Sequence, residues 1–316
     1  MNFYFAPMEG ITGHIYRRAF HKYFPVPDKY FTPFISPDGN KILRNKEKRD
    51  VLPENNAGMQ VVPQIITNRA DYFLMAAEYL KSEYGYTEVN LNLGCPSGTV
   101  VTKGKGSGFL SRLNELERFF DEVFETCSLE VSVKTRVGRN DAEDWEEILA
   151  LFAKFPIKEL TVHPRIQKDF YKGQVRMETF AYAYEKWERP LCYNGDIFTK
   201  ENYEKLTARF PELQSVMLGR GLLSDPYLIG RLRGEVLPDE KTRRETIRAF
   251  HEQLMTEYGA VLSCDRDLLY KMKELWFYLL DSFLDSEKVR KQIRKCEKLS
   301  EYKTVVENLF FESNLI

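Results

Sequence analysis

Cys95 stands in the turn Asn92-Leu93-Gly94-Cys95-Pro96-Ser97, closed by a proline and followed by the glycine-rich run Lys103–Gly108. A thiol at a loop tip beside Gly and Pro is more accessible than one in a core strand, and access is a condition for reactivity. Cys127 and Cys192 sit in apolar runs and read as inert packing. Lys134 lies within Val131-Ser132-Val133-Lys134-Thr135, so its amine is expected to point into a core. A lysine so placed is a Schiff-base former or a fixed cation near an anionic ligand. A purely structural role would leave the desolvation cost unanswered. Two further turns, Asn194-Gly195-Asp196-Ile197 and Met217-Leu218-Gly219-Arg220-Gly221, offer glycine for close backbone approach and an arginine for charge. That pairing suits one phosphate. A nucleotide-like cofactor with a single phosphate fits FMN and leaves PLP open.

These residues need elements to carry them. Eight short strand-like runs are legible: Phe3–Met8, Lys29–Ile35, Met59–Ile66, Glu88–Gly94, Val131–Val137, Glu159–His163, Leu191–Asn194 and Ser215–Gly219. Most are continuous apolar runs, the signature of strands buried on both faces. Helical stretches fall between them. Asn68–Tyr84 opens on a candidate Asn cap, Asn114–Cys127 and Asp144–Phe155 follow, and Thr199–Arg209 starts at a Thr. The segment Asp38–Asn56 is polar and irregular. Strand alternating with helix eight times predicts an α/β fold, a (β/α)8 TIM barrel, over residues 1–238. From 239 to 316 no strand-like run occurs. Helices are expected near Glu240–Tyr258, Asp265–Leu280, Ser286–Lys298 and Glu301–Phe311, as a small all-α domain.

In such a barrel the active site is built at the C-terminal ends of the strands. The unusual polar residues fall there in seven of the eight: Met8 and Glu9; Gln64; Asn90, Asn92 and Cys95; Lys134 and Arg136; His163; Asn194 to Asp196; Gly219 to Gly221. One such residue is ordinary core chemistry. Seven strands placing them at one end point to a site.

With 43% hydrophobic and 29% charged residues, 22 Phe and 18 Tyr, the 316-residue chain can bury a large core without staples. Five scattered cysteines with no CxxC pair argue against a zinc site or a secreted disulfide framework. No long apolar run suggests a membrane span, and no N-terminal signal is legible. The expectation is a cytoplasmic, metal-free, monomeric protein. A net charge of −1 means that any nucleic-acid site must be a local patch.

The motif string is similar to the tRNA-dihydrouridine synthase family. Ala6-Pro7-Met8-Glu9-Gly10-Ile11-Thr12 resembles its opening, and the Asn90–Ser97, Ser132–Gly138, Thr161–Arg165, Asn194–Ile197 and Met217–Gly221 segments complete the series. The resemblance runs from Phe5 to about Leu232. It implies FMN, NADPH as electron source, and reduction of the C5–C6 bond of a uridine in tRNA. Reduced flavin would deliver hydride to C6, and Cys95 would give the proton to C5. Pro7, Met8, Glu9, Gln64, Lys134, His163, Asn194, Gly195, Asp196, Gly219 and Arg220 would hold FMN, with Asn90 and Asn92 on the substrate side. Two departures stand out. Gly13 follows the Thr of the first motif, where the family usually carries an acid or amide. The Gly-rich loop has two added lysines, Lys103 and Lys105, that could meet tRNA phosphates.

The tail is the region where that family keeps its RNA-binding domain. Residues 240–316 balance 14 basic against 14 acidic side chains, yet Lys288, Arg290, Lys291, Arg294, Lys295 and Lys298 crowd into 11 positions opposed only by Glu297. Lys291, Lys295 and Lys298 share a helical face, with Arg294 adjacent, and such a stripe can track a phosphate backbone. Rival readings are a barrel flavin dehydrogenase acting on a free pyrimidine, a Schiff-base aldolase using Lys134, and a non-enzymatic RNA-binding barrel.

Overall fold

The computed structural model describes residues 1–284 and 286–315. Nine parallel strands form its sheet: β1 (Asn2–Phe5), β2 (Lys29–Phe31), β3 (Val61–Val62), β4 (Gln64–Ile65), β5 (Glu88–Leu93), β6 (Glu130–Arg136), β7 (Leu160–His163), β8 (Leu191–Tyr193) and β9 (Ser215–Leu218). Their order is β3-β2-β1-β9-β8-β7-β6-β5-β4. The two ends of that order are adjacent in sequence, separated only by Pro63, which has no N–H to give a ladder. They are one interrupted strand, paired with β2 on one side and β5 on the other, so the sheet closes into an eight-stranded TIM barrel.

All eight predicted runs form strands, shorter than predicted except β6, which matches the length of Val131–Val137 and starts one residue earlier. Helices pack outside, and the largest core cluster lies between them and the sheet. Inside the barrel the apolar set is small: Tyr4, Ala6, Phe31, Val62, Cys192 and Met217. The remaining interior is polar. Ser132 Oγ donates to Glu88 Oε1 (2.8 Å), Asn90 Nδ2 donates to Ser132 Oγ (3.0 Å), and Gln64 Nε2 donates to Asn90 Oδ1 (2.8 Å). Asn92 Nδ2 then donates to Gln64 Oε1 (2.6 Å). At the floor Tyr4 donates to Glu159 Oε1 (3.0 Å), and Lys29 sits 3.3 Å from Glu88 and 3.5 Å from Glu159.

Two local readings change. The helix expected from Asn68 runs over Ala70–Tyr84 with Arg69 at its N-cap, and the Asn68 amide instead donates to the Lys103 carbonyl. The Thr199 cap does form, accepting from Asn202 N at 3.2 Å. The polar 38–56 segment contains a helix, Asn45–Val51, followed by a 3-10 turn, Pro53–Asn56. Its Asp50 accepts from the backbone N–H of His14 (2.7 Å), at the start of helix His14–Tyr23. Asp50 thus caps this helix from another segment, Gly13 at the N-cap having no side chain to do so. A Cβ on Gly13 would lie 3.1 Å from Asp50 Oδ1.

The tail folds into helices Glu240–Val261, Asp265–Leu279, Glu287–Lys295 and Leu299–Glu312 around Trp276, Tyr302 and Phe310. Phe250 packs edge-on against Tyr16 and Phe24 of the barrel (ring centroids 5.4 and 4.9 Å), so the two regions share one apolar core. No described helix is long and apolar enough to cross a membrane.

Candidate active site

A cavity opens at the C-terminal end of the barrel. Pro7, Met8, Glu9, Gln64, Asn92, Cys95, Lys134, His163, Asn194, Gly195, Asp196, Gly219 and Arg220 all line it. Residues from seven strand ends thus converge as the sequence pattern predicted. Asn90 does not reach it. That side chain is fully buried one layer deeper, committed to Gln64 and Ser132, so it supports the wall rather than facing a substrate. Glu9 sits at the rim with Oε1 2.7 Å from Lys46. Lys103 is exposed, while Lys105 is half-buried with Nζ 3.5 Å from Ser36 Oγ. Lys291, Arg294, Lys295 and Lys298 are exposed on the tail, outside the cavity.

The Cys95 turn is held from three sides. Asn92 Oδ1 accepts from the N–H groups of Gly94 (3.0 Å) and Cys95 (2.9 Å). Ser107 Oγ donates to the Cys95 carbonyl at 2.8 Å. Gly106, at φ +56°, lies so close that a Cβ there would stand 2.9 Å from the same carbonyl. The glycine-rich loop therefore backs the cysteine turn by close approach, which its composition announced only as flexibility.

Arg136 clasps the opposite side. Its guanidinium donates to the carbonyls of Gly94 (2.9 Å), Ile166 (2.8 Å) and Phe170 (2.6 Å). Phe170 is the non-glycine residue with positive φ (+49°) among those described, and its loop borders the cavity through Tyr171. Arg165 is equally buried, bound to Asp196 (3.0 and 2.5 Å) and to the Gly173 carbonyl (2.6 Å). Arg220 Nη2 donates to the same carboxylate at 2.6 Å.

A sequence model of the family described as "Dihydrouridine synthase (Dus)" matches residues 4–314. The chain belongs to the dihydrouridine synthase family. Among curated relatives, "Probable tRNA-dihydrouridine synthase 1" of Synechocystis sp. is 25% identical, covering 98% of this chain and 86% of that protein. "Probable tRNA-dihydrouridine synthase 2" of Bacillus subtilis is 25% identical over 97% of this chain and 93% of its own length. "tRNA-dihydrouridine synthase B" of Pasteurella multocida is 27% identical over 71% of this chain and 67% of its own. In fold, the chain is similar to morphinone reductase in complex with tetrahydroNAD, with a TM-score of 0.50 at 12% identity, covering 76% of this chain and 88% of that one.

In this dihydrouridine synthase the cavity gathers several cationic side chains. Lys134 is half-buried and lines the cavity, and among the described residues no hydrogen bond or ion pair reaches its ammonium. Burial first, then repulsion from Arg136, brings its pKa down to about 8. Burial likewise holds His163 well below its ordinary value, reinforced by Arg136, Lys134, Arg165 and Arg220. Burial pushes the Cys95 thiol up, so it stays protonated at neutral pH. Sequence reasoning quoted Arg136 and Arg165 within motifs but gave neither a role. Their partners are backbone carbonyls and a distant carboxylate, which no local pattern displays.

Proposed function

We propose that this dihydrouridine synthase carries FMN and, with electrons from NADPH, reduces the C5–C6 bond of uridine in tRNA. The observation that carries the reading is the uncompensated cationic cavity. A half-buried ammonium with no counter-ion, near Arg136 and in one cavity with Arg220, favours an anionic ligand as its partner. The fit to a single-phosphate flavin is good. Gly195 and Gly219 bring bare backbone to the rim, where a Cβ on Gly219 would already touch Ala6 Cβ and Met8 Sδ at 3.4 Å. Arg220 supplies charge beside them, aimed by Asp196.

In this reading Gly195, Gly219 and Arg220 take the phosphate, while Pro7, Met8, Gln64, Asn194 and the Glu9–Asp196 rim frame the ring system. Lys134 and His163 face its electron-rich edge. The bound flavin supplies the hydride that adds at C6. Cys95 delivers the proton to C5, a transfer that requires the neutral thiol its burial favours. Asn92 holds that turn through two N–H groups. The exposed Lys103 and the tail residues Lys291, Arg294, Lys295 and Lys298 meet phosphates of the tRNA, Lys105 joins from the same loop, and residues 239–316 serve as the RNA-binding unit. The target base must leave the tRNA stack to reach the barrel.

The purified protein should be yellow and release FMN, not FAD, on denaturation, and unmodified tRNA should gain dihydrouridine in the presence of NADPH. A colourless protein that takes up no added FMN overturns the reading. Efficient reduction of a free pyrimidine with tRNA untouched would transfer it to the small-molecule alternative.

A further inference from the structure

Helix Asp265–Leu279 runs between the barrel mouth and the basic helix Glu287–Lys295. On its inner flank Lys271 donates to the Gly10 carbonyl of the first barrel loop, and Glu274 lies against Gly10. On its outer flank Lys273 donates to the carbonyls of Arg294 (3.1 Å) and Cys296. Between the flanks Arg266, Tyr270, Lys273 and Phe277 stand at i, i+4, i+7 and i+11, so they form one stripe. Both aromatics face solvent, Tyr270 at 56% and Phe277 at 62% exposure.

Cations frame both rings. Arg266 lies 5.6 Å and Lys273 5.9 Å from the centre of the Tyr270 ring, and Arg290 lies 5.9 Å from that of Phe277. The Arg290 guanidinium is fixed there by bonds to the Phe277 carbonyl (2.6 Å) and Asp281 Oδ1 (2.6 Å). Glu274 flanks the stripe on the barrel side, paired with Lys271, and Arg290 is also 3.2 Å from Glu287. Scattered single hydrophobics on a surface mean little. Two large aromatics a double turn apart, alternating with fixed cations and continuous with an exposed basic helix, match a partner that is anionic and offers flat π faces. Single-stranded nucleic acid is that partner.

We propose that Tyr270 and Phe277 are stacking platforms for unpaired bases of the tRNA, on the path between the basic helix and the barrel mouth. This rests on the tRNA reading given above. Seven residues of helix separate the two rings by about 10 Å along the axis. Two rings so spaced meet different bases of a strand, since neighbouring stacked bases rise by only about 3.4 Å. Single-stranded loops with exposed base faces are the form in which RNA bases are ordinarily recognised by aromatic side chains.

The test is binding of the full-length protein to an unmodified tRNA transcript, followed by fluorescence anisotropy over a range of salt. Tyr270→Ala and Phe277→Ala should each weaken binding by roughly 5- to 150-fold with an unchanged slope of log affinity against log salt, because no phosphate contact is lost. Tyr270→Phe and Phe277→Tyr should bind like the wild type. Replacing Lys291, Arg294, Lys295 and Lys298 by Gln should instead flatten the slope, by about 0.7–0.9 for each contact removed. Wild-type affinity in both alanine variants overturns the proposal. So does an altered oligomeric state of the tRNA-free alanine variants with tRNA affinity intact, which would mark a protein interface. A wild-type chain that binds no tRNA overturns this proposal together with the reading it rests on, and is distinguished by the parent protein alone.

Discussion

At the floor of the barrel Lys29 and Lys158 stand against Glu88 and Glu159, with Lys158 2.8 Å from Glu88 and both acids buried. At the mouth Lys134, Arg136, Arg165 and Arg220 converge, and the acid that answers them is Asp196, shared by two of the arginines. A cavity of about 640 Å³ also opens at the floor, lined by Lys29, Glu159 and Trp187. Size therefore does not single out the mouth, whose cavity is the smaller at about 110 Å³. Charge balance does. The floor is complete as it stands, while the mouth holds a surplus of positive charge, part of it open to the cavity, that folding alone does not neutralise. Ion pairs that close within the fold serve the fold, and cations left open serve a ligand.

The sharpest break of that comparison is at Cys95. Cys95→Ala should keep flavin and its reduction by NADPH, yet slow reoxidation by tRNA about 10²- to 10⁴-fold, the cost of losing a general acid. Cys192→Ala, inside the barrel, should react at close to the wild-type rate. Stopped-flow absorbance reads both. An undiminished Cys95→Ala rate would move the proton source elsewhere.

Next come opposite signs at the two ends. Lys29→Met should destabilise the protein by roughly 3–5 kcal/mol, since it strands buried carboxylates. Urea denaturation measures this, and flavin affinity should hold. Lys134→Met should raise the melting temperature of the flavin-free protein by roughly 2–4 °C while weakening flavin binding. Destabilisation by both would show that the mouth lysine is an ordinary structural ion.

Arg220→Ala should cost about 1.5–3 kcal/mol of flavin affinity, the range for a charge-assisted contact. Equilibrium dialysis against FMN is the check, and unchanged affinity would remove Arg220 from the phosphate site.

The smallest effect is with pH. Lys134 has its pKa lowered in the fold, to about 8. The penalty of burying its charge is present below that value and fades as pH rises toward the unfolded value near 10.4. Flavin-free protein should thus gain stability as pH climbs through that window. Affinity for an anionic ligand should fall over the same window, by at most about tenfold per pH unit. Lys134→Gln should flatten the pH dependence of binding.

Much of this was legible in the chain. The strands were, because burial on both faces writes largely apolar runs such as Phe3–Ala6. The convergence of strand ends on one cavity followed from the barrel itself. Other features arise only in three dimensions. Pro63 splits the third strand without ending it, since the barrel holds both halves in register. Helix Asn45–Val51 is polar and short, so no apolar period marks it. Asp50 reaches His14 across 36 positions, and the floor pairs join strands far apart in sequence. Asn90 was read as a substrate contact because alternation cannot tell a strand's rim from the layer beneath.

The hydrogen-bonded file through the barrel interior has a sense of travel. An ionised carboxylate only accepts, so Glu88 obliges Ser132 to donate. Ser132 in turn receives the Asn90 amide, which fixes the orientation of Gln64 and then of Asn92. Asn92 is left presenting its oxygen, not its nitrogen, to the N–H groups of Gly94 and Cys95. One negative charge at the base of the barrel thereby dictates which way every amide above it faces, and the geometry of the reactive turn is written from the far end of the molecule.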